Sequence, residues 1–239
     1  MKKRLFLGVI LVLIFVSLSY SASFDTFLKG LKFPDKAGSD DSTTISGLKE
    51  ALSIGAGNAV TSVSKENGYF GNQAIKILLP EKLRAAATVL GTLGYQEEVD
   101  AFVLSMNRAA ENAAPKAKEV FIDAIKQMSF EDAKKILNGG DTAATDYFKA
   151  RTTKKISEVF KPTVSSSMNE VGVARAYKEM TGKYTAAVPF AGVESLDLDH
   201  YVTDKAVDGL FFMLSQEEKK IRTDPAARVT DLLKTVFGK

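Results

Sequence analysis

The chain has no cysteine and no tryptophan, a single histidine and six prolines in 239 residues. Without cysteine there can be no disulfide framework, thiol nucleophile, iron–sulfur cluster or covalently attached c-type haem. With His200 alone, neither a multi-histidine zinc site nor the paired Glu-x-x-His of di-iron bundles can be assembled, and no metal or other cofactor is expected. A Ser-His-Asp triad would have to use His200, no Gly-x-Ser-x-Gly elbow occurs, and Asp197 and Asp199 mark that histidine as a cap-side residue. Asp40-Asp41-Ser42, Gly139-Gly140-Asp141 and Asp197-Leu198-Asp199 lack the spaced oxygen ligands of a calcium loop. A Walker sequence is missing too. Gly55-Ala56-Gly57-Asn58-Ala59-Val60 superficially resembles a dinucleotide fingerprint, but it lies inside a helical pattern with no strand before it.

Charge of one sign is also scarce. Met1 to Arg4 is basic, Leu5 to Tyr20 is an apolar run, and Ser21-Ala22-Ser23 are small, which is the layout of a secretory signal peptide. The run is shorter than the ~20 residues of a spanning helix. Cleavage after Ser21 or Ser23 is therefore expected, leaving a periplasmic or otherwise secreted protein with no stable membrane span. No cysteine follows to take a lipid. Lys2, Lys3 and Arg4 account for the whole excess of 32 basic over 29 acidic residues, so the mature chain is neutral. Neutrality gives no global attraction to nucleic acid, and the aromatics are not interleaved with basic clusters. No nucleic-acid partner is expected.

What is present is helical periodicity. Residues 24–44 read as an apolar arm, with Phe24, Phe27, Leu28 and Leu31 on one side, followed by a polar linker. From 45 to 239 the pattern predicts an all-α, single-domain antiparallel bundle of about eight to ten helices. The first carries Ile45, Leu48, Leu52, Ala56, Ala59 and Val63, capped at Ser42, Thr43 or Thr44 and stopped at Gly68; its glycines 47, 55 and 57 allow another helix to approach. Ile75, Ile77 and Leu79 alternate briefly, as an extended segment or a buried connector. Helices follow from Glu81 to Gly94 and from Gln96 through the interruption at Pro115. Ser129 caps a short helix, and Asp141 or Thr142 caps the next, to about Phe160. Pro162 restarts the chain to Thr181-Gly182; Lys183–Asp197 reads as a long loop, either a lid or a connector. The last helices run from Leu198 to Arg222 and, after Asp224-Pro225, to Phe237; the pairs Glu218–Arg222 and Asp224–Arg228, each four residues apart, read as a solvated hinge between them.

The blocks ALSIGAGNAV (51–60), SMNRAAENAAPKAKEVF (105–121), DAKKILNGGDTAATDYF (132–148), YVTDKAVDGLFFML (201–214) and EEKKIRTDPAARVTDLLKTVFG (217–238) resemble, in order, the bacterial domain-of-unknown-function family 4197. The resemblance implies an exported, mostly helical bacterial protein and supplies no activity or catalytic residue.

The candidate site rests on polar residues beside apolar stripes. Val99, Phe102, Val103, Met106, Ala110 and Ala113 form one face, and Asn107, Arg108 and Glu111 flank it, with Glu111 in reach of both others. Tyr147, Tyr201, Glu217 and Arg222 complete the candidate set. Three functions stay open. The first is a non-catalytic binding module holding a small apolar or amphipathic ligand, or a protein partner, in a groove lined by such residues as Tyr69, Phe70, Met106, Phe121, Tyr147, Phe148, Phe211 and Phe212, all of which fit a plain core equally. The second is a metal-independent hydrolase or lyase using Glu111 or Glu217, Arg108 or Arg222, and Tyr147 or Tyr201. The third is an envelope structural or assembly factor. The sequence leans away from an enzyme, because nothing fixes the mutual geometry of those groups.

Overall fold

A computed structural model of the chain describes residues 40–170, 172–188, 196–227, 230 and 234. Among them are eight α-helices, two 3-10 turns and no strand. Helix α1 (Asp40–Val63) leads into an irregular connector, residues 64–80. Then come α2 (Glu81–Thr92), α3 (Gln96–Ala113), the 3-10 turn Ala114–Lys116, α4 (Ala117–Lys126), α5 (Phe130–Leu137), α6 (Ala143–Glu170), α7 (Val173–Ala187) and α8 (Leu198–Thr223), with a second 3-10 turn at Pro225–Ala227. They pack as a helical bundle inside one compact unit, Asp41–Lys239. The expected signal peptide and apolar arm, residues 189–195 of the expected long loop and most of the expected terminal helix from Arg228 lie outside the described residues.

The apolar stripes become the core. Helix α3 buries Val99, Phe102, Met106, Ala110 and Ala113, and α6 buries Phe148, Ile156, Phe160 and Val164. Helix α6 lies against α3, α4 and α8. Where α4, α6 and α8 meet, the Phe121 ring takes Phe148 and Phe211 edge-on, with centroids 5.2 Å and 6.0 Å away. Each such pair adds about 0.5–1.5 kcal/mol to the area it buries. Among the groove residues expected from sequence, Tyr69, Met106, Phe121, Phe148 and Phe211 are core; Phe70 and Tyr147 are partly buried, and Phe212 is exposed.

Three boundaries differ from the sequence reading. Helix α1 already runs from Asp40, so residues 42–44 are helical and do not cap it. Helix α6 passes through Pro162 instead of restarting there. The proline costs about 3 kcal/mol by removing one backbone donor and crowding the carbonyl of residue 158. Ile156, Phe160 and Val164 are fully buried around it, and at about 1.5–3 kcal/mol each they outweigh that cost. The break falls ten residues later, where Gly172 has φ 79°, a left-handed conformation that favours glycine. Helix α7 then runs past Gly182 to Ala187. No helix among the described residues is long and apolar enough to cross a membrane.

The cap that the sequence predicts at Ser129 forms. Ser129 Oγ accepts from the Asp132 amide at 3.1 Å, and Asp132 Oδ2 accepts from the Ser129 amide at 3.2 Å, a reciprocal box at the start of α5. Those two bonds, then Arg151 and Lys135, hold the Asp132 carboxyl below its ordinary value. A carboxyl lowered on folding stabilises above its unfolded value, about 3.9, and loses that contribution as pH falls through the folded value. Asp132→Asn should therefore lower the urea midpoint at pH 7, and its gap from the wild type should close as the pH is taken below 3.9 in a series of unfolding curves.

Candidate functional site

The connector between α1 and α2 is too buried to be left to solvent. Tyr69, Ile75 and Ile77 are at most 7% exposed, so their backbone groups must find partners inside the protein. Helix α3 supplies them. The Asn107 side chain accepts from Ile77 N at 2.9 Å and donates to Ile77 O at 2.8 Å, pairing with one residue as a neighbouring strand would. Its second amide hydrogen goes to Val103 O at 2.8 Å. Glu111 Oε1 accepts from two successive amides, Tyr69 N at 3.0 Å and Phe70 N at 3.1 Å. Its other oxygen takes Arg108 Nη1 at 2.6 Å, and Arg108 Nη2 reaches Glu66 and Asn67 at 3.1 Å and 3.0 Å. The expected Asn107–Arg108–Glu111 cluster thus forms around the connector, with Asn107 bonded to backbone and not to Glu111.

Helix α8 grips the same segment from the other side. The Tyr69 hydroxyl donates to Ala206 O at 2.6 Å and the Tyr201 hydroxyl to Leu78 O at 2.9 Å. Burial, with the Glu111 charge adding to it, pushes the Tyr69 phenol far up, which keeps it a donor. Gly209 makes the approach possible: a Cβ there would sit 2.7 Å from Tyr69 Cε1.

A second buried carboxylate repeats the device. Glu218 of α8 accepts from Ala144 N at 2.9 Å, Thr145 N at 2.8 Å and Thr145 Oγ1 at 2.8 Å, so it caps α6, whose first amides have no partner within the helix. The positive end of the α6 dipole favours the charge there. Arg222 donates to Glu218 at 3.0 Å and to Ile136 O, in the last turn of α5, at 2.9 Å. Neither Asp141 nor Thr142 takes these two amides. The pair Glu218–Arg222, which reads from sequence as a solvated hinge, is buried because Glu218 continues the line of Leu210 and Leu214 at four-residue spacing. That spacing was the available signal.

The remaining candidates scatter. Glu217 bridges Lys220 at 2.6 Å and Asn58 of α1 at 3.1 Å. Tyr147 lies in the first turns of α6; its hydroxyl donates to Ala124 O at 3.3 Å, with Arg151 over its ring at 5.4 Å. His200 is exposed, 3.3 Å from Asp204. No group of three metal-ligating side chains occurs among the described residues.

Two concavities bear on function. The crevice beside Glu218, lined by Leu48, Leu52, Phe148 and Ile221, offers about 20 Å³, room for a water and no more. The larger is a groove of about 400 Å³ between the connector and α8. Its walls carry Leu78 and Phe212, 56% and 41% exposed, with Tyr201, Arg84, Lys205 and Asp208 around them. Burial raises the Tyr201 phenol, and the nearby Arg84 charge partly offsets this. Of these, sequence reasoning singled out Tyr201 and Phe212. Arg84, Leu78, Lys205 and Asp208 carry no local pattern that marks them.

The chain matches, over residues 38–238, the family described as a protein of unknown function, DUF4197, and belongs to that family. No curated protein and no solved structure matches it.

Asn107→Ala would strand the N–H and C=O of Ile77, and should cost about 2–5 kcal/mol. Arg108→Ala leaves Glu111 short of its cation and should cost about 3 kcal/mol. Urea unfolding measures both, and unchanged midpoints would show that the connector does not need these bonds. Glu218→Ala should instead act at one end of α6, speeding amide exchange at Ala144 and Thr145 well above the rest of that helix in a hydrogen-exchange experiment.

Proposed function

We propose that this member of the DUF4197 family is a non-catalytic binding module of the cell envelope, exported by the leader at residues 1–23, which takes a small amphipathic ligand between the connector and α8. The observation that carries the reading is the groove itself: about 400 Å³, within the range of small-molecule sites, with two large apolar side chains left exposed on its walls. Its walls are rigid. Leu78 is held by Tyr201 and its neighbour Ile77 by Asn107, so the cost of ordering the site falls on folding and not on binding.

The geometry gives the catalytic alternative little support. Glu111 is 3% exposed and its carboxylate already accepts from two amides and a guanidinium. Glu217, the other candidate, is taken up by Lys220 and Asn58. A general base must reach its substrate, and neither oxygen pair is presented to a cavity that could hold one.

Native mass spectrometry of the mature protein, purified gently from its own envelope, should show an extra mass lost on denaturation. In Leu78→Ser/Phe212→Ser that mass should disappear while the thermal midpoint stays put, since surface substitutions move stability by only about 0.5 kcal/mol. A clean protein mass from the wild type, together with crosslinks to another envelope protein through Leu78 or Phe212, would replace the ligand by a protein partner.

A further inference from the structure

The groove's charge says what kind of ligand fits it, an inference that rests on the binding reading above. Lys76, Arg84, Lys205 and Asp208 all line the groove. The Lys76 ammonium is engaged 4.0 Å above the Phe70 ring, a favourable cation–π position. Arg84, Lys205 and Asp208 are exposed, and none of them makes an ion pair with another described residue. Because a cation–π contact leaves the ammonium charged, three cations against one acid leave a net positive charge of two at the groove. It stands out locally, because the chain without its leader is neutral overall. Beside those charges, Leu78 and Phe212 present apolar surface to the same space. The volume, about 400 Å³, is near the lower end of ligand pockets, which span about 300–1,000 Å³. Such a space suits one short chain and not the paired chains of a membrane lipid.

We infer that the groove binds a single-chain anionic amphiphile, a carboxylate or a phosphate monoester, with Arg84 and Lys205 taking the headgroup and Leu78 and Phe212 taking the chain. Arg84 is suited to the headgroup because its planar fork matches two carboxylate oxygens at once, whereas Lys205 contributes a point charge. A phosphate monoester carries nearly two charges at neutral pH and meets two in excess here, so either headgroup is matched. The chain contributes affinity by leaving water, at about 0.8 kcal/mol per buried methylene. Longer chains should bind more tightly until the groove is full.

Three probes with the same twelve-carbon chain test this on the mature protein: dodecanoate, dodecyl phosphate and dodecyltrimethylammonium, each titrated by calorimetry below its micellar concentration. One-to-one binding of dodecanoate or dodecyl phosphate, at least tenfold tighter than of the trimethylammonium, is expected, and the tighter of the two identifies the headgroup. Arg84→Gln/Lys205→Gln should abolish that preference and leave melting unchanged, and Phe212→Ala should weaken dodecanoate and the phosphate alike. Equal binding of all three would overturn the headgroup assignment and leave the groove reading standing. No binding of any probe, with no retained ligand in the native mass spectrum, would overturn both.

Discussion

The structure depends on two carboxylates taken out of water. Glu111 and Glu218 each accept from two successive backbone amides of a segment distant in sequence, and each is neutralised by one arginine on its own helix, Arg108 three residues before or Arg222 four residues after. Isolated in the core, either charge would cost several kcal/mol. Surrounded in this way, each converts that cost into a constraint: a given pair of amides must sit against a given turn of helix. Glu111 places the connector on α3, and Glu218 places the start of α6 on α8. Apolar residues alone could fill the same volume, but they could not satisfy the amides.

The connector shows why such fixing is needed. A helix or a strand satisfies its own backbone or its neighbour's, whereas residues 64–80 form neither and still bury Tyr69, Ile75 and Ile77. The helices on both sides therefore lend side chains and one carbonyl: Asn107, Glu111 and Tyr201 toward the connector, and Ala206 O for the Tyr69 hydroxyl. Gly209 completes the fit by leaving room for the tyrosine ring. Ile77 faces inward and the next residue, Leu78, faces out at 56% exposure, so the same bonds that bury one side chain display the other at the groove.

The sequence carried the helices and much less of the site. Periodicity located each stripe, because burial on one face of a helix repeats every three or four residues whatever lies opposite. The Ser129 box was legible because both partners lie within one turn. Pro162 misled for the complementary reason: its local cost is visible in the sequence, while the burial of Ile156, Phe160 and Val164 that outweighs it is a property of the assembled bundle. In the same way Glu111 was visible as a partner for Arg108, three residues away, but its amide partners lie 42 and 41 residues upstream. Glu218 was read as a surface pair although it continues an apolar line, since a glutamate on a stripe suggests an edge unless one knows that a helix N-terminus lies against it. Arg84 and Lys205 come from different helices and meet only in the fold.

The division of labour among the polar residues follows from burial. Asn107, Glu111 and Glu218 are at most 8% exposed and have their hydrogen-bonding capacity taken up by the protein itself. Such groups can shape a site but cannot meet a ligand without first breaking bonds worth more than the ligand would return. Arg84, Lys205 and Asp208 are solvated, cost nothing to present, and are free to exchange water for a charged headgroup. The residues that stand out most in this sequence therefore build the scaffold, and the groove's chemistry is left to ordinary surface charges that matter because Asn107 and Tyr201 hold the connector beside them.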